Sequence, residues 1–292
     1  MRVLVLLAIL GAAELVQPAS YRAEIDNYRK HRLDELTAPN GWLAVRGLFW
    51  LHEGANTAGS DPASEIRLPA RAPKQLGVFT LAAGKVTFTP DHAAHVQVAD
   101  KHLDGPTELT GGERGAVVSA RVSLFVIRRG DRVGLRMLDP DSRARRTFPG
   151  LRYYPLNSAY RFRAKFVAYP KLKEVPVPNV LGQLVPMESP GYVEFVSAGK
   201  TYRLEPVYET SRHEDLFFIF KDLTSRTDTY EAGRFLHVPL PVNGFVDLDF
   251  NRAYNPPCAF TEFATCPLPT KENQLQLAIR AGERRYHLPN QP

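Results

Sequence analysis

The stretch YRFRAKFVA, residues 160–168, alternates without a break. Tyr160, Phe162, Ala164 and Phe166 fall on one side, Arg161, Arg163 and Lys165 on the other. Successive side chains of a strand point to opposite faces, so this is a half-buried strand with a basic outer face. Similar signals recur on both sides of it. Upstream, GVFTLAAGKVTFTP (77–90) reads as two strands turning at Ala83–Gly84, and AVVSARVSLFVIRRGDRVGLRML (116–138) turns at Gly130–Asp131. Downstream, YVEFVSAGKTYRLEPVY (192–208) turns at Ala198–Gly199–Lys200. DLFFIFKDLTSRTDTYEAGRFLHVPL (215–240) supplies two strands and GFVDLDF (244–250) another, while QLQLAIRAGERRYHL (274–288) predicts a last hairpin at Ala281–Gly282. With 24 prolines and 20 glycines, the chain favours many short strands over long helices.

One segment departs from that period. Tyr21, Ile25, Tyr28, Leu33 and Leu36 follow a helical stripe that Pro39–Asn40–Gly41 ends. The fold expected is therefore mainly β, with an N-terminal amphipathic helix followed by two β-sandwich or barrel-like blocks. The helix and the first block take 21–145, the second block 146–292. RARRTFPGLRYYPLNSAY (143–160) connects them. Ahead of the helix, Arg2, the apolar run 3–13 and the small residues Gly11, Ala12, Ala13 and Pro18–Ala19–Ser20 have the pattern of a secretory signal peptide, here 1–20. A periplasmic or secreted protein is expected. No later stretch is long and apolar enough to cross a membrane as a helix.

The formal charge is +6 and is uneven. Arginines crowd 121–163, with Asp131, Asp139 and Asp141 as the acids there. Such a cluster attracts anions if it shares one face. Nucleic acid is not expected as the partner of an exported protein. The serine-hydrolase elbow G-x-S-x-G, the phosphate loop G-x-x-x-x-G-K-[ST] and the dinucleotide motif G-x-G-x-x-G are all absent. His52–Glu53 lacks the second histidine of a zinc protease, and His92 and His95 sit in a turn after Pro90. No cofactor and no metal are expected.

FKDLTSRTDTYEAGRFL and AYNPPCAF, together with GWLAVRGLFWLHEGANTAGS near the start, carry a resemblance. The chain is similar over nearly its whole length to the family called domain of unknown function 1684, which implies no established activity. The first block also resembles a forkhead-associated domain in layout. That likeness implies a β-sandwich that binds phosphothreonine or mediates assembly, but no binding residue matches.

The candidate chemistry gathers around DFNRAYNPPCAFTEFATCPLPTKEN (249–273). Pro256, Pro257, Pro267 and Pro269 bracket a loop bounded by Cys258 and Cys266, the only two cysteines. An oxidising compartment favours a disulfide, which by loop entropy contributes about 2–3 kcal/mol. Free buried thiols, or a zinc joined by His237 or Asp249, are the alternatives. Asp222, Asp249 and Glu283 are candidate acids or bases, although Asp and Asn also satisfy loop backbone. Arg234, beside apolar Phe235, needs either a carboxylate such as Asp222 or a substrate anion. Arg161, Arg163, Arg234, Asn251, Tyr254 and Asn255 are the candidate ligand-binding residues. The function expected is binding of a small or anionic ligand, with a hydrolase of unfamiliar type, using Asp/Glu acid–base chemistry and Arg234, as the alternative.

Overall fold

A computed structural model describes residues 19–286. The signal peptide expected over 1–20 falls almost wholly outside them. The protein is mainly β. No helix among the described residues is long and apolar enough to cross a membrane.

In the N-terminal block two sheets face each other. One has the order Val45–Trp50, Arg132–Leu138, Val122–Arg129, Val117–Ser119, Gln97–Val98, Lys101–His102. The other runs Ile66–Arg67, Gly54–Gly59, Gly77–Ala82, Lys85–Pro90, Thr107–Glu108. Alternate residues of both point inward, so Phe79, Phe88, Leu124, Val126, Leu135 and Met137 share one core. The hairpins turn where the sequence puts them, at Ala83–Gly84 and Gly130–Asp131.

The C-terminal block is wound around a two-stranded ribbon, Asp215–Phe220 paired with Arg234–Pro239. Leu216, Phe218 and Phe220 enter one core; Phe217 and Ile219 enter another on the opposite face. A strand buried on both faces reads as an unbroken apolar run, which LFFIF (216–220) is. Cover comes from a long hairpin, Arg161–Pro178 with Leu184–Ser197. Its register slips between Ala168 and Lys173. Ala164, Val193 and Phe195 lie on one side of the slip, in the first core, and Val175 and Val177 on the other, in the second. The strands cross closely at this bend, where a Cβ on Gly191 would lie 2.2 Å from the Val167 carbonyl oxygen. The proline-rich stretch after Pro170 is thus strand. Pro176 faces Pro186 across the pair, in the half of the hairpin that Lys200–Leu204 leaves unpaired, where a missing donor costs no ladder bond.

Three expectations change. The helix, Ala19–Thr37, buries Tyr21, Ile25, Arg32 and Leu36, while Leu33 is 37% exposed. Arg32 takes the stripe position because it meets a buried acid. The helix, grouped by sequence with the first block, also docks on the C-terminal block: Tyr21 bonds Asp249 and Tyr28 bonds the Arg252 carbonyl, while Leu36 packs with Leu43. The hairpin expected at Ala281–Gly282 does not form. Residues 274–286 run as irregular chain, with Leu275, Ile279 and Ala281 buried.

Truncating Phe218, wholly buried in the ribbon, removes filling that no neighbour replaces. Phe218→Ala is expected to lower unfolding free energy by about 3–5 kcal/mol in urea titrations; an unshifted midpoint would contradict this packing.

Candidate functional site

Most of the polar residues singled out in the sequence are buried and bonded to the protein itself. Arg234 is 1% exposed. Its guanidinium reaches Asp222 Oδ2 at 3.4 Å and donates to the carbonyls of Ile279, at 2.9 Å, and Ala281. Asp222 Oδ2 accepts the Ile279 amide at 2.6 Å, and Oδ1 accepts the Thr224 hydroxyl at 2.9 Å. The pair therefore supplies the hydrogen bonds that a neighbouring strand would give to residues 279–281. Burial pulls the Arg234 guanidinium below its usual pKa, and the Asp222 charge opposes that.

A second knot lies under the helix. Glu283, with no exposed surface, accepts from Arg32 Nε at 3.1 Å and from the Asn255 amide at 2.8 Å. Arg32 also donates to the Asn255 carbonyl at 3.0 Å and lies 4.6 Å over the Tyr254 ring. Burial pushes the Glu283 carboxyl up, and Arg32 holds it back. A third knot joins Asp249 to the Tyr21 hydroxyl at 2.8 Å and to the Asn251 amide at 3.0 Å. Asn251 Oδ1 in turn accepts the Asn157 amide at 3.1 Å.

The other basic candidates stay on the outer sheet face. Arg161 grips Asp247 at 2.6 Å and lies 4.7 Å over Tyr21; Arg163 lies 3.4 Å over the Phe245 ring. Arg161 and Arg163 thus do not share a cavity with Arg234. The disulfide expected between Cys258 and Cys266 is not present, and both are free. What meets the Cys266 sulfur is the Cys258 amide, at 3.1 Å.

Two open clefts carry chemistry instead. One, of about 650 Å³, lies where the N-terminal sheets meet the connector and is lined by Arg46, Arg67, Arg71, Arg143, Arg146 and Asp139, among others. Arg71 grips Asp139 with both nitrogens, and Arg121 grips Asp141 at 2.9 and 3.0 Å. Arg46, Arg67, Arg143 and Arg146 make no ion pair among the described residues. Asp141 is held below the usual carboxylate range by Arg121 first, with Arg71 and Arg146 adding to it. Of these arginines the crowded run 121–163 holds Arg121, Arg143 and Arg146. Arg46, Arg67 and Arg71 arrive from strands and turns far back in sequence, and only the exposed parity of Ile66–Arg67 hints at them.

The other cleft, of about 520 Å³, lies between the helix and the ribbon. His237 Nδ1 sits 2.9 Å from Asp215 Oδ2, and its ring stacks 4.6 Å from Phe217. Tyr28, Arg32, Glu35, Arg252 and Tyr254 are among the other lining residues. Tyr254 alone of the sequence-predicted ligand residues reaches a cleft.

Residues 146–284 match the family described as "Protein of unknown function (DUF1684)", the family that FKDLTSRTDTYEAGRFL (220–236) and AYNPPCAF (253–260) resemble; the match does not take in GWLAVRGLFWLHEGANTAGS (41–60), so the likeness read over nearly the whole chain is matched only in this part. The match begins at residue 146, so the forkhead-associated likeness of the first block rests on layout alone. A solution NMR structure of an uncharacterized protein from Haloarcula marismortui is similar at 28% identity, covering 48% of this chain and 78% of that one, with a TM-score of 0.41. No curated protein matches.

Arg234→Ala leaves Asp222 buried without its cation. It is expected to cost about 3–5 kcal/mol in chemical denaturation, whereas Arg161→Ala, at an exposed pair, should cost no more than about 1 kcal/mol. Equal effects would contradict the division drawn between them.

Proposed function

We propose that the protein binds a compact polyanion, with phosphate or carboxylate groups, in the arginine-lined cleft. The observation that carries this reading is the gathering of Arg46, Arg67, Arg143 and Arg146 around one open cavity with no acid of their own among the described residues. Like charges held together raise one another's energy, and a multiply charged anion relieves this. A guanidinium offers planar, paired donors that fit phosphate and carboxylate oxygens. Arg71 and Arg121, locked on Asp139 and Asp141, keep the rim in place. Export belongs to the same reading, with 1–20 as the leader.

An acid–base alternative is favoured by the second cleft rather than by Asp222, Asp249 and Glu283, whose oxygens are engaged inside the protein. There His237, held by Asp215 at Nδ1, with Glu209 3.6 Å from Nε2 and Phe217 stacked on the ring, is the group placed to exchange a proton with a bound substrate.

Inorganic pyrophosphate tests the first reading by thermal shift at low salt. The melting temperature should rise with pyrophosphate and the rise should shrink as salt is added. Arg67→Ala combined with Arg146→Ala should abolish the rise, while Arg161→Ala combined with Arg163→Ala should keep it. No rise in the unmutated chain, or a rise that needs Arg161 and Arg163, would overturn the proposal. Hydrolysis of a panel of ester and phosphate substrates that is lost in His237→Asn would establish the alternative; loss of none would remove it.

A further inference from the structure

Cys258 and Cys266 are brought side by side without being joined. Cys258 lies in the short turn Pro257–Ala259 and is half-buried; Cys266 is buried. The Cys258 amide donates to Cys266 Sγ at 3.1 Å, and the Tyr230 hydroxyl donates to the Cys258 carbonyl at 3.1 Å. Trp42 and Cys258 both pack against the apolar cluster that holds Cys266. Over that same indole, at 4.9 Å, lies the Arg136 guanidinium. Arg136 is 7% exposed, and its Nε and Nη2 have no partner among the described residues.

A buried cation without an acid is costly, and a neighbour able to become an anion lowers that cost. Burial pulls Arg136 down to about 10, and Cys266 is among the groups that pull it back. The two thiols are unequal. The neighbouring Cys266 lowers the Cys258 thiol, with Tyr230 adding to it, while Cys258 and burial raise the Cys266 thiol. Thiolate character combined with access marks an attacking cysteine, and a buried thiol beside it can resolve the product.

We infer that Cys258 and Cys266 form a reversible dithiol–disulfide pair that exchanges with disulfide compounds, Cys258 attacking and Cys266 resolving. In the first step the Cys258 thiolate attacks one sulfur of an external disulfide. That S–S bond breaks, one thiolate leaves, and a mixed disulfide remains on Cys258. Cys266 then gives up its proton, its sulfur attacks the Cys258 sulfur, and the second thiolate departs. Two protein thiols are oxidised and one external disulfide is reduced to two thiols. The loop between them, 259–265, carries Phe260 into the core beneath the helix and Phe263 against the N-terminal block. Thr261 donates to the Val45 carbonyl at 3.1 Å. The redox state therefore acts on the loop that ties the two blocks together.

The test treats the folded full chain with oxidised glutathione, then denatures it, alkylates it and weighs it. The unmutated chain should lose both alkylatable thiols and the mass of two hydrogens, and dithiothreitol should restore both. Cys266→Ser should retain one glutathione on Cys258, and Cys258→Ser should capture none at the same pH, with circular dichroism showing that each is folded. Two thiols still alkylatable in the treated unmutated chain would overturn the inference whatever the variants do. Capture by Cys266 in Cys258→Ser would overturn the assignment of roles.

Discussion

The ion pair between Arg234 and Asp222 holds the C-terminal block closed. It is buried, and its value lies less in mutual attraction than in what both partners do for a third segment. Residues 279–281 have no strand beside them. Ile279 and Ala281 are buried, and the Ile279 amide and the two carbonyls would otherwise lack a partner. Asp222 accepts the Ile279 amide; Arg234 donates to the carbonyls of Ile279 and Ala281. Side chains that stand at the end of the central ribbon thus replace a missing strand, and the chain end seals the core that the ribbon fills.

The other buried polar residues repeat this solution. Arg32 and Glu283 hold the backbone of Asn255, and Asp249, Asn251 and Tyr21 hold the turn that follows the last strand. Each knot joins pieces far apart in sequence, and two of them use the N-terminal helix. The helix is therefore a cover for the C-terminal block, tied also to Leu43 next to it in sequence. Charge that does no such work is left at the surface, where the arginine-lined cleft collects it.

What was legible in the sequence was local. The period of two marked YRFRAKFVA and its neighbours, and the turns at Ala83–Gly84, Gly130–Asp131 and Ala198–Gly199 follow from residues that accept positive φ there. The apolar stripe gave the helix, apart from the exchange of Leu33 for Arg32. QLQLAIRAGERRYHL misled because its alternate residues do bury, while its hydrogen-bond partners are side chains rather than a strand, and periodicity reports only burial. The polar residues around 249–283 divide among separate buried knots, each with its own partners. Whether they faced a cavity or the backbone depended on the long-range packing of the helix, which no local pattern encodes. The cleft arginines were hidden for the same reason: Arg46, Arg67 and Arg71 meet Arg143 and Arg146 only through sheet topology.

Native-state hydrogen exchange tests the account most directly. If buried side chains stand in for a strand, the amides of Ile279 and Asn255 should be protected as strongly as those of Phe218 and Leu236 in the ribbon, despite lying in irregular chain. Exchange of those two amides at the rate of exposed loops would contradict it.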